Sequence, residues 1–289
     1  MNSMQFIRSL GDLPSLSAVV NQINAGEKEK SLTSKLLAEI ISKDPPLTAK
    51  VLKLANSAYY GLAKQVTTLD RAVTVLGFNT LKSLALTVSI YKMFKDEKIA
   101  AINLQGLWHH SLACAVASKA IVRVANQDKD IHEQGFLCGI LHDIGIIAFA
   151  CKLPKEIAEV LKTSHEMHSP QSEVEKEIIG FNHQKIGGMM AENWNFPSQY
   201  VNAIKWHHGP LPPPDDTPPL DGILARAVYV GNQMVKAFHL GESTDPSSEK
   251  IPVEVWHFLG IRRENLPNLR SEIEAEYRTI TEAWNLDEE

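Results

Sequence analysis

Apolar residues in this chain recur three and four positions apart almost from end to end, and the alternation of a half-buried strand is nearly absent. That periodicity predicts an all-α, multi-helical fold in which proline and glycine mark the helix ends. Ser31 to Ile41 places Leu36, Leu37, Ile40 and Ile41 on one face behind a Ser or Thr cap. Pro45 and Pro46 stop that helix, and Pro46 opens the next over Leu47 to Ser57. A short helix from Leu69 to Leu76 ends at Gly77, and Thr80 to Phe94 follows. Longer helices are predicted over Leu104 to Ala125, Glu133 to Cys151, His183 to Trp194, Leu220 to Phe238 and Leu266 to Trp284, with shorter ones such as Pro154 to Lys162 between them. The charged stretch Lys95 to Asn103 predicts a division near residue 98. An N-terminal lobe then covers 1–98, and a second lobe with the C-terminal helices covers 99–289. Gly209 to Gly222 holds six of the fifteen prolines and is expected to be a stiff, extended loop.

Composition bounds the partners. The formal charge of −5 supplies no global basic field, so neither nucleic acid nor an anionic membrane surface is an expected partner. Three cysteines, Cys114, Cys138 and Cys151, sit inside apolar runs, and an odd number without a secretory signal points to a reducing cytoplasm. No run approaches the ~20 apolar residues of a membrane span.

The residues with chemistry are histidines and one aspartate spread through the second lobe. His110 stands in LWHHSLACAVA, His142 and Asp143 in GILHDIG, His183 in GFNHQKIGG, and His207 and His208 in WHHGP. These types suit a divalent ion. On a continuous helix, the neighbours of Asp143 at three and four positions are Ile140, Gly139, Ile146 and Ile147, none of which neutralises a carboxylate. Asp143 therefore needs a cation, a donor from another helix, or water. Gly139 and Gly145 leave room beside the pair for a ligand or for a closely packed helix. His165, His168, His239 and His257 lie outside these motifs, and His109, Trp108 and Trp206 read as packing residues. Ser172 to Gly180 (SEVEKEIIG) reads as an ordinary solvated helix face.

Three blocks of the first lobe carry a resemblance. Leu13 to Leu16 (LPSL), Asp44 to Gly61 (DPPLTAKVLKLANSAYYG) and Leu69 to Leu86 (LDRAVTVLGFNTLKSLAL), in that order, resemble the HDOD family, the HD-related output domain. In Asp44 to Gly61 a helix with a capped polar exit, Asn56-Ser57-Ala58, also accounts for the residues without any ligand. The resemblance continues to about residue 240 and places the chain beside the HD superfamily of metal-dependent phosphohydrolases. It implies that His110, His142 and Asp143 match the first His and the His-Asp pair of an HD metal centre, with His183, His207 and His208 in the places of a second ion's ligands.

Two departures from that pattern bear on activity. The later Asp of the family falls in AVYVGNQMV, where this chain has Asn232, a neutral and poorer ligand. Relatives of the HD-GYP type carry Lys shortly after the pair, where this chain has Ile146, and their GYP segment is replaced by GPLPPP. Phosphoester hydrolysis needs a metal-activated nucleophile and a cation to steady phosphoryl charge, so both departures weigh against turnover. The resemblance thus implies a bacterial regulatory protein with a catalytically degenerate HD domain, acting through a regulatory protein partner or a small nucleotide-like ligand. The alternative is a metal-dependent phosphohydrolase of a nucleotide or cyclic dinucleotide, with Asp143 at its centre. The implied cofactor is a divalent metal (Fe, Mn, Zn, Ni or Mg), with no organic cofactor.

Overall fold

A computed structural model describes residues 3–9, 17–95, 99–125, 128–209 and 219–284, and every regular element among them is helical. The LPSL block, most of the Gly209 to Gly222 stretch and residues 96–98 of the charged junction lie outside the described residues. Among the described residues, Cα packing groups 17–95 with 274–284, and 3–9 with those from 99 to 273. These units are discontinuous in sequence, whereas the linear division at residue 98 assigns each lobe one unbroken stretch.

The first helix, α1 (Ser3–Ser9), belongs to the larger unit, where Phe6 stacks at 5.5 Å on both Phe149 and Phe181. The smaller unit holds α2 (Ala18–Lys28), α3 (Ser34–Ser42), α4 (Pro45–Ala55), α5 (Leu69–Leu76) and α6 (Phe78–Lys95). Each of the first four starts on an oxygen-bearing cap. Ser17, Thr33, Asp44 and Thr68 accept from the backbone N–H groups of Val20, Leu36, Leu47 and Arg71, satisfying donors that a helix start leaves open. Leu37, Ile41, Leu47, Val51, Leu54, Leu81 and Leu84 form its core.

The polar exit of α4 is held by one side chain. Asn56 donates from Nδ2 to the Leu52 and Val66 carbonyls, and its Oδ1 accepts from Val66 N–H, each at 2.7 Å. Asn56→Ala leaves three backbone groups without these partners. It is expected to lower stability by about 1–3 kcal/mol in urea denaturation, and a change within 0.5 kcal/mol, about the spread of neutral surface substitutions, would contradict that role.

The larger unit continues with α7 (Leu104–Ala125), α8 (Lys129–Leu141), α9 (Ile144–Lys152), α10 (Pro154–Met167), α11 (Gln171–Ile178), α12 (His183–Asn193), α13 (Ser198–Trp206), α14 (Pro219–Ala237) and α15 (Val253–Phe258). In α16 (Leu266–Trp284) the residues up to Ile273 group with this unit and the rest with the smaller one. Helix α7 packs against α8 and α14, and α12 packs against both α9 and α13. Because α7 has neighbours on several sides, it is apolar around its circumference, as a central core helix must be.

Three expectations are corrected here. The single helix predicted over Glu133 to Cys151 is two, α8 and α9, interrupted at His142 and Asp143. The neighbours of Asp143 are therefore not those of a continuous helix. Helix α10 runs to Met167 rather than Lys162 and ends on His168 in the left-handed conformation, at φ 53°. The stretch Ile131–Lys152 is long and apolar enough to cross a membrane by length and composition, contrary to the sequence reading, but most of it is buried inside the protein. A core segment covered on every side has no need of a polar face.

A candidate metal centre

Close helix contacts bring the donors together. A Cβ on Gly139 would meet the Ala115 backbone at 2.5–2.6 Å, so α8 reaches α7 along a glycine and sets His142 beside His110. A Cβ on Gly145 would overlap the His183 carbonyl, so α9 meets the start of α12 in the same way. The room beside the His-Asp pair is thus filled by packed helices.

Helix ends then aim the rings. His142 follows the last residue of α8, and His207 follows the last residue of α13. In each case Nδ1 donates at 2.7 Å to a carbonyl three residues back, Gly139 O and Ile204 O. These carbonyls belong to the last helical turn, where acceptors lack an intrahelical partner. His183 opens α12 behind the Asn182 cap, and both its backbone N–H and its Nδ1–H donate to Glu175 Oε2 at 2.7 Å. Asp143 occupies the N-cap position of α9, yet its side chain makes no capping bond. Its oxygens face imidazoles instead.

Two groups of donors share that carboxylate. His110, His142 and Asp143 form one, with Nε2 to Oδ2 distances of 3.7 Å for His110 and 3.0 Å for His142. Asp143, His183, His207 and His208 form the other, with His183 and His207 Nε2 at 3.5 and 3.3 Å from Oδ1. Of the seven residues singled out in the sequence, six thus meet around one carboxylate. Asn232 is buried and lies against the His110 ring.

Burial is the largest influence on every ring. It pushes His110 down to about 3, with His142 adding to the effect. It pushes His207 down to about 4, aided by His142 and His183 and opposed by Asp143. His208 is also held well below the usual histidine range by burial and by His207 and His183. Burial works against the charged forms of His142 and His183 as well, but Asp143 raises the first and Glu175 the second beyond that penalty. Burial likewise disfavours the Asp143 carboxylate, yet His142 and His207 hold it well below the ordinary range. Neutral His110, His207 and His208 beside an ionised Asp143 are in the protonation states that metal ligands require, whereas His142 and His183 would release a proton on binding an ion.

The tautomers test the fit to a metal. With Nδ1–H spent on Ile204 O, neutral His207 presents a bare lone pair at Nε2. That atom lies 3.2 Å from His183 Nε2, which is 3.1 Å from His208 Nε2. A proton on His183 serves one of these contacts and leaves the other acceptors facing one another. The ring nitrogens of His110 are buried beside Asn232 and, at 3.7 Å from Nε2, Asp143 Oδ2, while His142 Nε2 lies 3.0 Å from the same oxygen. Buried polar atoms are normally satisfied, and one shared divalent cation per group satisfies them together. The donor set fits a divalent metal ion.

Sequence reasoning missed the supporting shell. Glu175 lies in the stretch read as a solvated face, but it is fully buried and orients His183. Gln171, also fully buried, donates to its other oxygen at 2.8 Å. Local charge pattern carries no trace of this role, because the partner arrives only when the chain reverses at Gly180, φ 92°, and brings α12 back beside α11. Outer carboxylates of this kind typically contribute 10–100-fold to metal affinity, so Glu175→Gln is expected to weaken zinc binding by that factor in a chelator competition. Unchanged affinity would deny it the role.

An all-helical protein with a buried histidine–aspartate centre at a helix break is of the HD type. The sequence profile of the HDOD domain matches residues 13–210, and the chain belongs to the HDOD family. A solved HDOD domain protein with unknown function from Geobacter sulfurreducens is 22% identical, with a TM-score of 0.81 over 97% of this chain and 96% of that one. A protein from Shewanella amazonensis SB2B, provisionally named a phosphohydrolase, is 22% identical with a TM-score of 0.75 over 98% and 97% of the two chains. These likenesses establish the fold. An uncharacterized protein of Treponema pallidum (strain Nichols) is 25% identical over 92% of this chain, which spans 51% of that protein's length.

Proposed function

We propose that this protein is a regulatory HDOD module whose larger unit holds a divalent metal centre and acts by binding a small nucleotide-like ligand or a protein partner, without efficient turnover. The supporting observation is the set of imidazole nitrogens packed around Asp143, which a divalent cation would satisfy together. An imidazole-rich set with one carboxylate suits Zn, Fe, Mn or Ni better than Mg, which prefers all-oxygen shells. An ion there supplies Lewis acidity toward a phosphate-like ligand. His142, His183 and His207 stay oriented by their outer acceptors, and Asp143 holds the negative charge between the two groups. Against turnover stand the neutral Asn232 beside His110 and the buried, apolar Ile146 where relatives of the HD-GYP type carry lysine.

Elemental analysis of untagged protein purified without added metal tests this reading. One or two equivalents are expected in the parent, with a loss in His142→Ala, and no metal even after reconstitution would sink it. Hydrolysis is the second reading, favoured by an Asp143 whose two oxygens face separate donor groups. Incubating the metal-loaded protein with nucleotides and cyclic dinucleotides decides between the two. Turnover that disappears in Asp143→Ala makes the protein an enzyme, and its absence with Mn, Fe and Mg leaves the regulatory reading.

A further inference from the structure

Three of the imidazoles around Asp143 have an oxygen at 2.7 Å from Nδ1: Gly139 O for His142, Ile204 O for His207 and Glu175 Oε2 for His183. For His208 the oxygen facing Nδ1 is Asp245 Oδ2, at 4.0 Å. Asp245 is buried and comes from the segment that follows α14, remote in sequence from every other donor.

That segment is fastened at several points. His239 and Gly241, both at positive φ, turn the chain after α14. A Cβ on Gly241 would overlap the backbone of His110 itself. Glu242 then donates its N–H to Gly106 O at 3.3 Å, and Glu249 N–H donates to Gln233 Oε1 at 2.9 Å. Between them, Asp245 Oδ1 accepts from Gln171 N–H, Ser247 N–H and Ser247 Oγ, while Oδ2 accepts from Lys236 Nζ at 2.9 Å. Gln171 therefore touches both outer carboxylates, Asp245 through its main chain and Glu175 through its side chain. The Lys236 side chain is itself buried, and its hold on Oδ2 keeps that oxygen back from His208.

We propose that Asp245 is a positioning residue for His208. Its carboxylate, 4.0 Å from Nδ1, favours electrostatically the tautomer that turns Nε2 toward Asp143 and His183, and the segment 239–250 thereby tunes the metal affinity of the His183–His207–His208 group. This rests on the metal reading above. A carboxylate behind a metal-binding histidine orients the ring and raises its basicity. Here that carboxylate is shared with a buried lysine, so the affinity of the group depends on how the segment divides Oδ2 between the two.

The competing explanation is that Asp245 only neutralises Lys236. The pair Asp245→Asn with Lys236→Met separates the two roles. Asn keeps an oxygen for Gln171 and Ser247 but presents an amide to His208, and Met removes the lysine charge that would otherwise be left buried and unpaired. Cobalt(II) titration of the metal-free full-length protein, followed by its visible absorption, reads the site. The double variant is expected to keep the melting temperature of the metal-free parent and to bind cobalt(II) 10–100-fold more weakly. Asp245→Asn alone should show the same weakening. Double-variant affinity within about twofold of the parent, well below that outer-partner range, would overturn the proposal and leave Asp245 as the counter-ion of Lys236. A parent that takes up no cobalt(II) overturns the metal reading itself, and this role with it.

Discussion

Asp143→Asn is expected to strip the protein of retained metal. This carboxylate belongs to both donor groups, so one substitution removes a ligand from each, whereas His110→Ala or His208→Ala leaves the opposite group intact. The fall in affinity should exceed the 10–100-fold typical of an outer-shell partner, and metal per polypeptide after gel filtration should approach zero. His110→Ala should retain part of the parent content. Equal content in the Asp143→Asn variant and the parent would mean that the ions sit elsewhere. The metal-free variant is also expected to be less stable, because the buried His142 loses the carboxylate that it faces at 3.0 Å.

Gly145→Ala carries the largest expected effect on the fold itself. The added methyl would collide with the His183 carbonyl and crowd the Gly187 backbone, which are main-chain atoms at a helix crossing and cannot rotate aside. Separating α9 from α12 should cost about 3 kcal/mol or more. Because His183 opens α12, it should also spoil the alignment of His183 with Asp143. Thermal melts and zinc affinity measured on one preparation check both effects. Gly180→Ala is a useful contrast, since no atom lies within 4 Å of its added methyl and only the positive φ is strained. It should lose stability while its donors keep their alignment, and a Gly145→Ala protein as stable as the parent would remove the close-approach account of that crossing.

Much of this was legible from spacing and residue type. Helical periodicity and proline stops predict most elements, because a helix shows its buried face in its own sequence. The polar exit of α4 was legible as a backbone-bonding turn, which Asn56 forms. The metal donors were found by residue type and by the resemblance, yet their local setting was misread. His142 and Asp143 look like the middle of one apolar helix, since both α8 and α9 are apolar and no proline or glycine stands at the break. At the break the His142 ring takes Gly139 O, a contact that an apolar pattern does not encode. Glu175, Gln171 and Asp245 were missed for a related reason. Each resembles a surface residue among its chain neighbours, and each is buried by a helix or segment that arrives from far along the chain.

The donors come from residues 110, 142–143, 183 and 207–208, so the chain closes a loop of 98 residues between the first and the last of them. Metal held by these residues would join the points much as a covalent cross-link does. A disulfide closing a loop of about 100 residues restricts the unfolded chain by about 4.7 kcal/mol in the chain-entropy model. A centre of this kind would therefore fasten the interior of α7 to the ends of α8, α9, α12 and α13 at once, whether or not any substrate is turned over. Neither Asn232 nor Ile146 bears on that mechanical role, which would give every histidine around Asp143 a physical use.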